Sequence, residues 1–204
     1  KSIIKWLKAN VNSIQENKLK FDFSTTPIMV NYDGDIKFKT NIKSLTDENF
    51  QWNEVGGEFN CTFCRSLTSL KGAPQIVGGY FNCGYCEALE SLEGGPKEVG
   101  GDFSCSDCKS LKSLEGSPKE VGGYFDCDIC DLLKSLKGAP EKVGKRFDCS
   151  YCVSLKSLKG APKEVGGGFY CHECESLESL EHAPKEVGGD FVCHDCNKLI
   201  SLKG

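Results

Sequence analysis

Apolar and small residues recur along most of this chain with a period of 22 residues. The segment GGDFSCSDCKSLKSLEGSPKEV, which begins at Gly100, is followed by GGYFDCDICDLLKSLKGAPEKV, which begins at Gly122. No insertion interrupts the spacing of the seven CxxC pairs between Cys61 and Cys196. A strict period of this length indicates stacked units, because each coil must lie above the previous one. The sequence therefore predicts a solenoid rather than a domain with one central core.

The spacing within one repeat predicts its local structure. Phe103 and Cys105 are separated by one residue, so both side chains face inward from the same side of a short strand. After Cys108 the apolar spacing changes to three, at Leu111 and Leu114, and glycine and proline follow at once. This favours a tight arc over a full helix, since proline and glycine end helices. One strand per repeat gives about eight parallel strands, or on the order of 35 Å of solenoid.

The stretch FxCxxCxxL resembles the LxLxxN/CxxL stretch of leucine-rich repeats, with Phe103 and Cys105 inward and Cys108 at the asparagine or cysteine ladder position. The whole unit, with its SLxGAPKEVGG return, is similar to 22-residue repeats encoded by tailed bacteriophages. The resemblance covers residues 32–204. It implies a leucine-rich-repeat-like right-handed solenoid of short parallel strands, of the α+β or repeat class, with an N-terminal helical cap. A phage origin would imply a host protein as the target, including a defence protein that is inhibited.

The N-terminal segment has the features of a cap. Apolar residues at helical spacing in Ile3 to Val11 predict a helix. The following NYDGDIKFKTNIKSL copies the repeat with changes, and aligning Ile36 with Phe103 places Phe38 at the first-cysteine position and Asn41 at the second. We therefore expect Phe38 to preserve burial and Asn41 to preserve hydrogen bonding to the backbone.

The alignment divides the chain into a cap over residues 1–50 and seven repeats over 51–204. The last repeat stops without a polar capping coil, so its strand is expected to be an unpaired edge that promotes association. A two-fold dimer through this end is favoured because self-complementary contacts close easily. The residues expected at this edge are Phe191, Val192, Leu199 and Leu202.

The charge balance excludes some partners. The chain has 25 Lys and Arg against 29 Asp and Glu, for a net charge of -4. Proteins that bind nucleic-acid backbones need clustered basic residues, so no nucleic acid is expected as a partner. No apolar run is long enough to cross a bilayer, and no signal-like segment opens the chain. We therefore expect a cytoplasmic protein without a membrane partner, in the host cytoplasm if it is viral.

All 14 cysteines lie in the CxxC pairs. Consecutive pairs read C-x2-C-x18-C-x2-C, a spacing that also occurs in four-cysteine zinc sites. A ladder of buried, reduced thiols is favoured instead, because seven pairs cannot be shared two by two, the first coil replaces both cysteines, and thiols are common core side chains. Disulfides are not expected without a secretory signal. The favoured interpretation has no metal and no cofactor, with zinc binding or redox chemistry as the alternative.

The positions at which the repeats differ are the candidates for function, because a solenoid uses its regular positions for stacking. On the strands these positions flank each phenylalanine and follow the first cysteine. They form an acidic face with tyrosines set into it, expected to be concave and to bind a protein with a basic surface. A merely solvated face is the alternative. The predicted partner-binding residues are Tyr80, Asp102, Tyr124, Asp126, Asp128, Asp148, Tyr170 and His172.

Catalysis has little support in the sequence, and we expect a protein that is not an enzyme. The only histidines are His172, His182 and His194, without a nucleophile motif or a glycine-rich phosphate loop. The favoured function is that of a protein-binding module. The alternative from another class is an assembly protein that docks through its C-terminal end.

Overall fold

Each repeat forms one coil that contributes a short strand to each of two sheets. The computed structural model describes residues 2–202, and its coils stack in sequence order with a single α-helix at the N-terminal end. The predicted solenoid with a helical cap is therefore confirmed. The first sheet has eight parallel strands, after which we number the coils 1 to 8: β3 (Ile36–Lys37), β5 (Phe59–Asn60), β7 (Phe81–Asn82), β9 (Phe103–Ser104), β11 (Phe125–Asp126), β13 (Phe147–Asp148), β15 (Phe169–Tyr170) and β17 (Phe191–Val192).

The sequence pattern does not predict the second sheet. Its strands are β1 (Leu19–Asp22), β2 (Ile28–Tyr32), β4 (Phe50–Val55), β6 (Ile76–Val77), β8 (Glu98–Val99), β10 (Glu120–Val121), β12 (Lys142–Val143), β14 (Glu164–Val165) and β16 (Glu186–Val187). Strands β1 and β2 are antiparallel, and the other neighbours are parallel. In most repeats only the valine of each pair is buried, while the residue before it is exposed. From β6 onward these strands have only two residues, too few to reveal a two-residue period, so the repeated part of this sheet has no visible signature.

The phenylalanines of the first sheet form a buried stack through the solenoid. Each ring from Phe59 to Phe191 lies over the next, with neighbouring centroids 5.1 to 5.5 Å apart. Such offset stacking adds to the free energy that burial of apolar area already contributes. The planes of neighbouring rings differ by only 4° to 21°. Successive coils are therefore stacked with little rotation of these rings relative to one another.

The N-terminal segment covers one end of the stack. Helix α1 (Ser2–Asn10) buries Ile3 and Leu7, and a 3₁₀ turn (Glu16–Lys18) leads from it into β1. The backbone N–H of Asn12 donates a hydrogen bond of 2.8 Å to β3, so the outer edge of the first strand is satisfied. The predicted cap helix is confirmed, one residue earlier at each end.

Coil 1 departs from the predicted alignment at one position. Ile36 pairs with Phe59, and Phe38 is buried, as expected. Asn41, however, is exposed with a φ of 70°, and Ile42 is buried in its place. The turn of coil 1 contains one extra residue, and asparagine tolerates the left-handed conformation better than most residues. The expectation that Asn41 takes the second-cysteine position is therefore wrong.

The residue just before each second cysteine has a left-handed backbone, with φ between 56° and 63°. In coils 2 to 7 its N–H donates to a carbonyl of the next coil, as from Tyr85 to Ser106 at 2.8 Å. This conformation costs roughly 1 to 2 kcal/mol for most L-residues and least for asparagine and aspartate. Aromatic residues at such positions are therefore present against local preference. We call them the kink residues: Phe63, Tyr85, Asp107, Ile129, Tyr151, Glu173 and Asp195.

Candidate protein-binding face

All the predicted partner-binding residues lie on one surface of the first sheet. We call this surface the strand face: in coils 1 to 8 it comprises the residue before each inward phenylalanine (Ile36 in coil 1), the residue after it, and the residue two positions further on. The Tyr124 side chain is 40% exposed, and the other predicted residues are half-buried. The structure thus brings the predicted residues together in coils 3 to 7.

Three carboxylates, Asp126, Asp128 and Asp148, lie near the centre of the strand face, and one guanidinium contacts two of them. Arg146 Nη2 donates a hydrogen bond to Asp126 Oδ1 at 3.0 Å, and Arg146 Nε lies 3.9 Å from Asp148 Oδ2. Within residues 2–202, Asp128 has no ion pair. One cation for three carboxylates leaves this cluster with a net negative charge. The structure therefore adds Arg146 to the predicted set.

The guanidinium of Arg146 lies between two tyrosine rings. Its central carbon is 5.4 Å from the ring centroid of Tyr124 and 5.9 Å from that of Tyr170. These are cation–π distances, which favour arginine over aromatic faces. A shallow pocket of about 450 Å³ lies beside the rings. Its floor includes Gly168, where a Cβ would approach the Tyr170 ring to 2.5 Å, so glycine at this position makes room for the ring.

Burial controls the charge of the cluster. It raises the pKa of the Asp126 carboxyl above its ordinary value, and the hydrogen bond from Arg146 opposes that effect. Burial also raises the pKa of Asp128, against a hydrogen bond from Ser106. In both cases loss of hydration outweighs the favourable contacts of the ionised form. The folded protein therefore holds two carboxylates where their charge is disfavoured.

The C-terminal part of the strand face carries Tyr170 and two stacked histidines, with Asp190 as its carboxylate. His172 stacks on His194 with centroids 4.8 Å apart, and its Nδ1 lies 2.8 Å from Ser150 Oγ. His194 Nδ1 in turn lies 2.7 Å from Asp195 Oδ2. Across residues 2–202, no group of three or more His, Cys, Asp or Glu side chains is arranged to hold a metal ion.

Two of the predicted residues have structural contacts of their own. The Asp102 carboxylate accepts the backbone N–H of Tyr124 at 2.8 Å, which fixes the turn into coil 5. The Tyr80 hydroxyl accepts a hydrogen bond from Asn60 Nδ2 at 3.4 Å, and burial raises its pKa. Both side chains remain partly accessible, so they shape the face as well as line it.

The N-terminal end of the strand face carries two exposed lysines that sequence reasoning missed, beside Asp35 and Glu58 at the start of the strands. Lys37 and Lys39 are exposed in coil 1 and line a cavity of about 490 Å³ together with Asn60 and Thr62 of coil 2. Lys39 Nζ donates to the carbonyls of Lys8 and Ala9 at the end of α1, 2.9 Å each. Aligning IKFKT with the repeats is the signal that would have placed both lysines on this face.

The kink residues extend the strand face along one side, which sequence reasoning also missed. Phe63 and Tyr85 are 44% and 41% exposed, and their rings stack with centroids 4.6 Å apart. Tyr151 contacts His172 edge-on at 5.0 Å, so the kink residues and the strand face form one continuous surface. The signal in the sequence is the variable, often aromatic residue before each second cysteine.

The cysteines form two columns inside the coils. All 14 are free, and each is buried except the half-buried Cys193. Each second cysteine of coils 3 to 8 donates to the carbonyl of the first cysteine one coil earlier, as from Cys86 to Cys61 at 3.3 Å. Burial raises the pKa of Cys64 to about 12 and that of Cys196 to about 11. These two raised pKa values favour the protonated thiol, which is a poor nucleophile and a poor metal ligand.

The residues predicted at the C-terminal edge surround the last strand of the first sheet. β17 pairs with β15 on one side, and within residues 2–202 no strand pairs with its other side. Phe191 is 37% exposed and Leu202 77%, whereas Val192 and Leu199 are half-buried. Residues 203–204 lie outside the described part of the chain.

A second groove lies on the opposite sheet. Its volume is about 1110 Å³, and glycine–proline turns form much of its wall. Lys97, Glu98, Lys119 and Glu120 line it with alternating charge. Because positive and negative side chains alternate, this groove favours neither an acidic nor a basic partner.

Comparison with known proteins gives no match: no protein-family model, curated protein or solved structure matches this chain. Within residues 2–202, no helix is long and apolar enough to span a membrane.

Proposed function

We propose that this protein is a non-catalytic binding module that docks a basic protein surface on its strand face. The observation that carries the proposal is the cluster of Asp126, Asp128 and Asp148, of which the single guanidinium of Arg146 contacts only Asp126 and Asp148. Half-buried carboxylates that lack enough cations lower the stability of the folded state. Such a cost is typical of residues that serve binding, where stability and activity trade against each other.

The strand face already binds one cation of its own chain, the guanidinium of Arg146. Arg146 lies between two tyrosine rings and on a carboxylate, the same contacts that an arginine of a partner makes in a protein interface. Asp128, in the coil before Arg146, has no such cation among the described residues. A lysine or arginine of the partner would supply the charge that Asp128 lacks.

The same cluster disfavours nucleic acid, because phosphates would be repelled by its net negative charge. The resemblance to phage-encoded repeats makes a host protein, including a defence component, the target class to examine first. Binding that inhibits such a component is part of the same proposal.

Affinity capture with a charge-matched control tests this function. Immobilised wild-type protein is compared with Asp126→Asn/Asp128→Asn/Asp148→Asn, and captured proteins are identified by mass spectrometry. The control Glu90→Gln/Glu115→Gln/Glu141→Gln removes the same charge from exposed salt bridges with lysines. We expect a basic protein that wild type and control retain, that added salt releases, and that the aspartate variant loses. Equal capture by all three proteins would contradict the proposal.

A further inference from the structure

The charges of the strand face are ordered along the solenoid. The residues just after the inward aromatic or isoleucine, and two positions further on, are lysines in coil 1, neutral in coils 2 to 4 and aspartates in coil 5. Their sequence from coil 1 to coil 5 is Lys37/Lys39, Asn60/Thr62, Asn82/Gly84, Ser104/Ser106 and Asp126/Asp128. At about 4.8 Å per strand, the basic and acidic ends are roughly 19 Å apart.

A surface with opposite charges at its two ends is complementary to a second copy of itself. If the two-fold axis runs along β7, coil 1 of one copy faces coil 5 of the other, and coil 3 faces coil 3. Because this axis is parallel to the strands, each position along a strand faces the same position in the other copy. The resulting charge pairs are Lys37 with Asp126 and Lys39 with Asp128, each formed twice.

We infer that two copies of this chain dock strand face to strand face about this axis, so that the lysines of coil 1 meet the aspartates of coil 5. The inference rests on the proposed function, because it names a first partner for the same face. The dimer occupies the strand face until a basic partner of higher affinity displaces the second copy.

The shape of the face permits this contact. Neighbouring coils of this part rotate little, since the ring planes from Phe59 to Phe125 differ by 6° to 17°. At the axis, Gly84 has no side chain. The exposed ring of Tyr85 lies in the same coil, so the two copies of this ring meet near the axis. A flat centre with a small residue and an aromatic ring suits close approach.

The lysines are available for the contact. Lys37 is exposed and has no ion pair within residues 2–202. Lys39 uses two of its three ammonium hydrogens on the end of α1 and keeps one for a partner. Its ammonium group is thereby held in place, which reduces the conformational entropy that binding would cost.

The dimer is expected to be weak. Five coils by five residues cover on the order of 400 Å² of projected area per copy, about half of what a standard interface buries. One pairing at the margin is unfavourable, since Glu58 of coil 2 faces Asp102 of coil 4. Association is therefore expected at micromolar concentrations or above and is weakened by salt.

Charge reversal on each end of the face gives a sharp test. The variants Lys37→Glu/Lys39→Glu and Asp126→Lys/Asp128→Lys each make the two ends alike, so homodimers are repelled. Mixed in equal amounts, they restore opposite charges at both contacts, and the heterodimer forms. Sedimentation across a concentration series at low salt should show a wild-type dimer, a dissociation constant raised about tenfold or more in each variant alone, and recovery in the mixture.

Control variants on the opposite sheet change the net charge by the same amount as the strand-face variants. These controls are Lys97→Glu/Lys119→Glu and Glu98→Lys/Glu120→Lys, which lie in the groove of the second sheet. Both should leave the dimer intact. If a reversal variant fails to fold, the neutral pairs Lys37→Gln/Lys39→Gln and Asp126→Asn/Asp128→Asn take its place, each with a weakened dimer expected.

Three outcomes would overturn the inference: a wild-type monomer at every concentration, a mixture that fails to associate, or controls that dissociate like the variants. None of them decides the proposed function, which the aspartate variant in the capture experiment tests separately. Conversely, a salt-sensitive dimer without capture of a basic protein would support the dimer and contradict the proposed function.

Discussion

The guanidinium of Arg146 donates a hydrogen bond to the carboxylate of Asp126, which lies one coil earlier, at 3.0 Å. Arg146 occupies the position before the inward phenylalanine, where the preceding coil has Tyr124. The difference between tyrosine in coil 5 and arginine in coil 6 at this position therefore supplies the one cation that the carboxylate cluster contacts. The charge balance of the strand face depends on this pair.

Replacing Arg146 with alanine leaves the three carboxylates without a cation. We expect the free energy of unfolding at neutral pH to fall by about 1 kcal/mol, a modest value because the arginine is partly exposed. The loss should shrink near pH 4, where the carboxylates protonate. Thermal unfolding at both pH values measures it, with Lys145→Ala as the control for loss of a neighbouring cation. The same loss at both pH values would show that the effect is not electrostatic.

Replacing Asp128 with asparagine should stabilise the protein at neutral pH. Burial raises the pKa of Asp128, so the folded state favours the neutral carboxyl. Its penalty is absent below the unfolded value near 3.8 and appears as the pH rises through the raised pKa. We expect a gain on the order of 0.5 kcal/mol at neutral pH and none in acid. Urea unfolding across pH measures both.

The control for this prediction is a carboxylate whose removal should change the free energy of unfolding in the opposite direction. The hydrogen bond from Lys137 lowers the pKa of Glu115, so its ionised form stabilises the folded state above the ordinary value, and that contribution is lost as the pH falls. Glu115→Gln should therefore be the less stable protein at neutral pH. If both variants changed the free energy of unfolding in the same direction, the unfavourable ionisation assigned to Asp128 would be refuted.

Tyr124→Ala and Tyr170→Ala should each weaken capture of the partner by about 1 kcal/mol or more, as expected for aromatic anchors. Titration of the captured partner gives the affinities. Circular dichroism should show unchanged folding, since neither ring is part of the buried stack. Phe23→Ala is the matched control, because Phe23 is a 74% exposed ring on the cap. Unchanged capture by the double variant would move the binding site off the strand face.

The thiols should neither bind zinc nor react in the folded state. Because all the cysteines except the half-buried Cys193 are buried, metal analysis should find well under one zinc per chain, and a chelator should leave the melting temperature unchanged. A thiol reagent should modify the cysteines only when the protein unfolds, with the half-buried Cys193 first. Unfolding on chelation would reverse the assignment in favour of a metal site.

Association through the C-terminal edge stays a separate prediction. With a second self-associating surface, wild type would form species larger than the strand-face dimer. Leu202→Lys places a charge on a side chain that is 77% exposed and should reduce the mass to that of the dimer. Light scattering across concentrations measures it. A mass that Leu202→Lys does not change would show that the edge takes no part in association.

Much of the fold is local information that the sequence carries by itself. The period of the CxxC pairs determines coils 2 to 8 and their register with one another, because each of coils 3 to 8 lies over the residues 22 positions earlier. The alternation of Phe103 and Cys105 determines which side chains are buried, since a strand alternates its faces. The expected acidic and tyrosine-bearing positions also follow from this alternation.

Only the tertiary structure decided how charges from different coils meet. The contact of Arg146 with Asp126 and the shared surface of Lys37 with Asn60 join residues about one period apart, through side chains whose direction no local pattern states. The second sheet and the extra residue before Ile42 were equally hidden, because two-residue strands and single left-handed residues leave no periodic signal. The repeat sets which residues stack, but the charge of the face arises from contacts between coils.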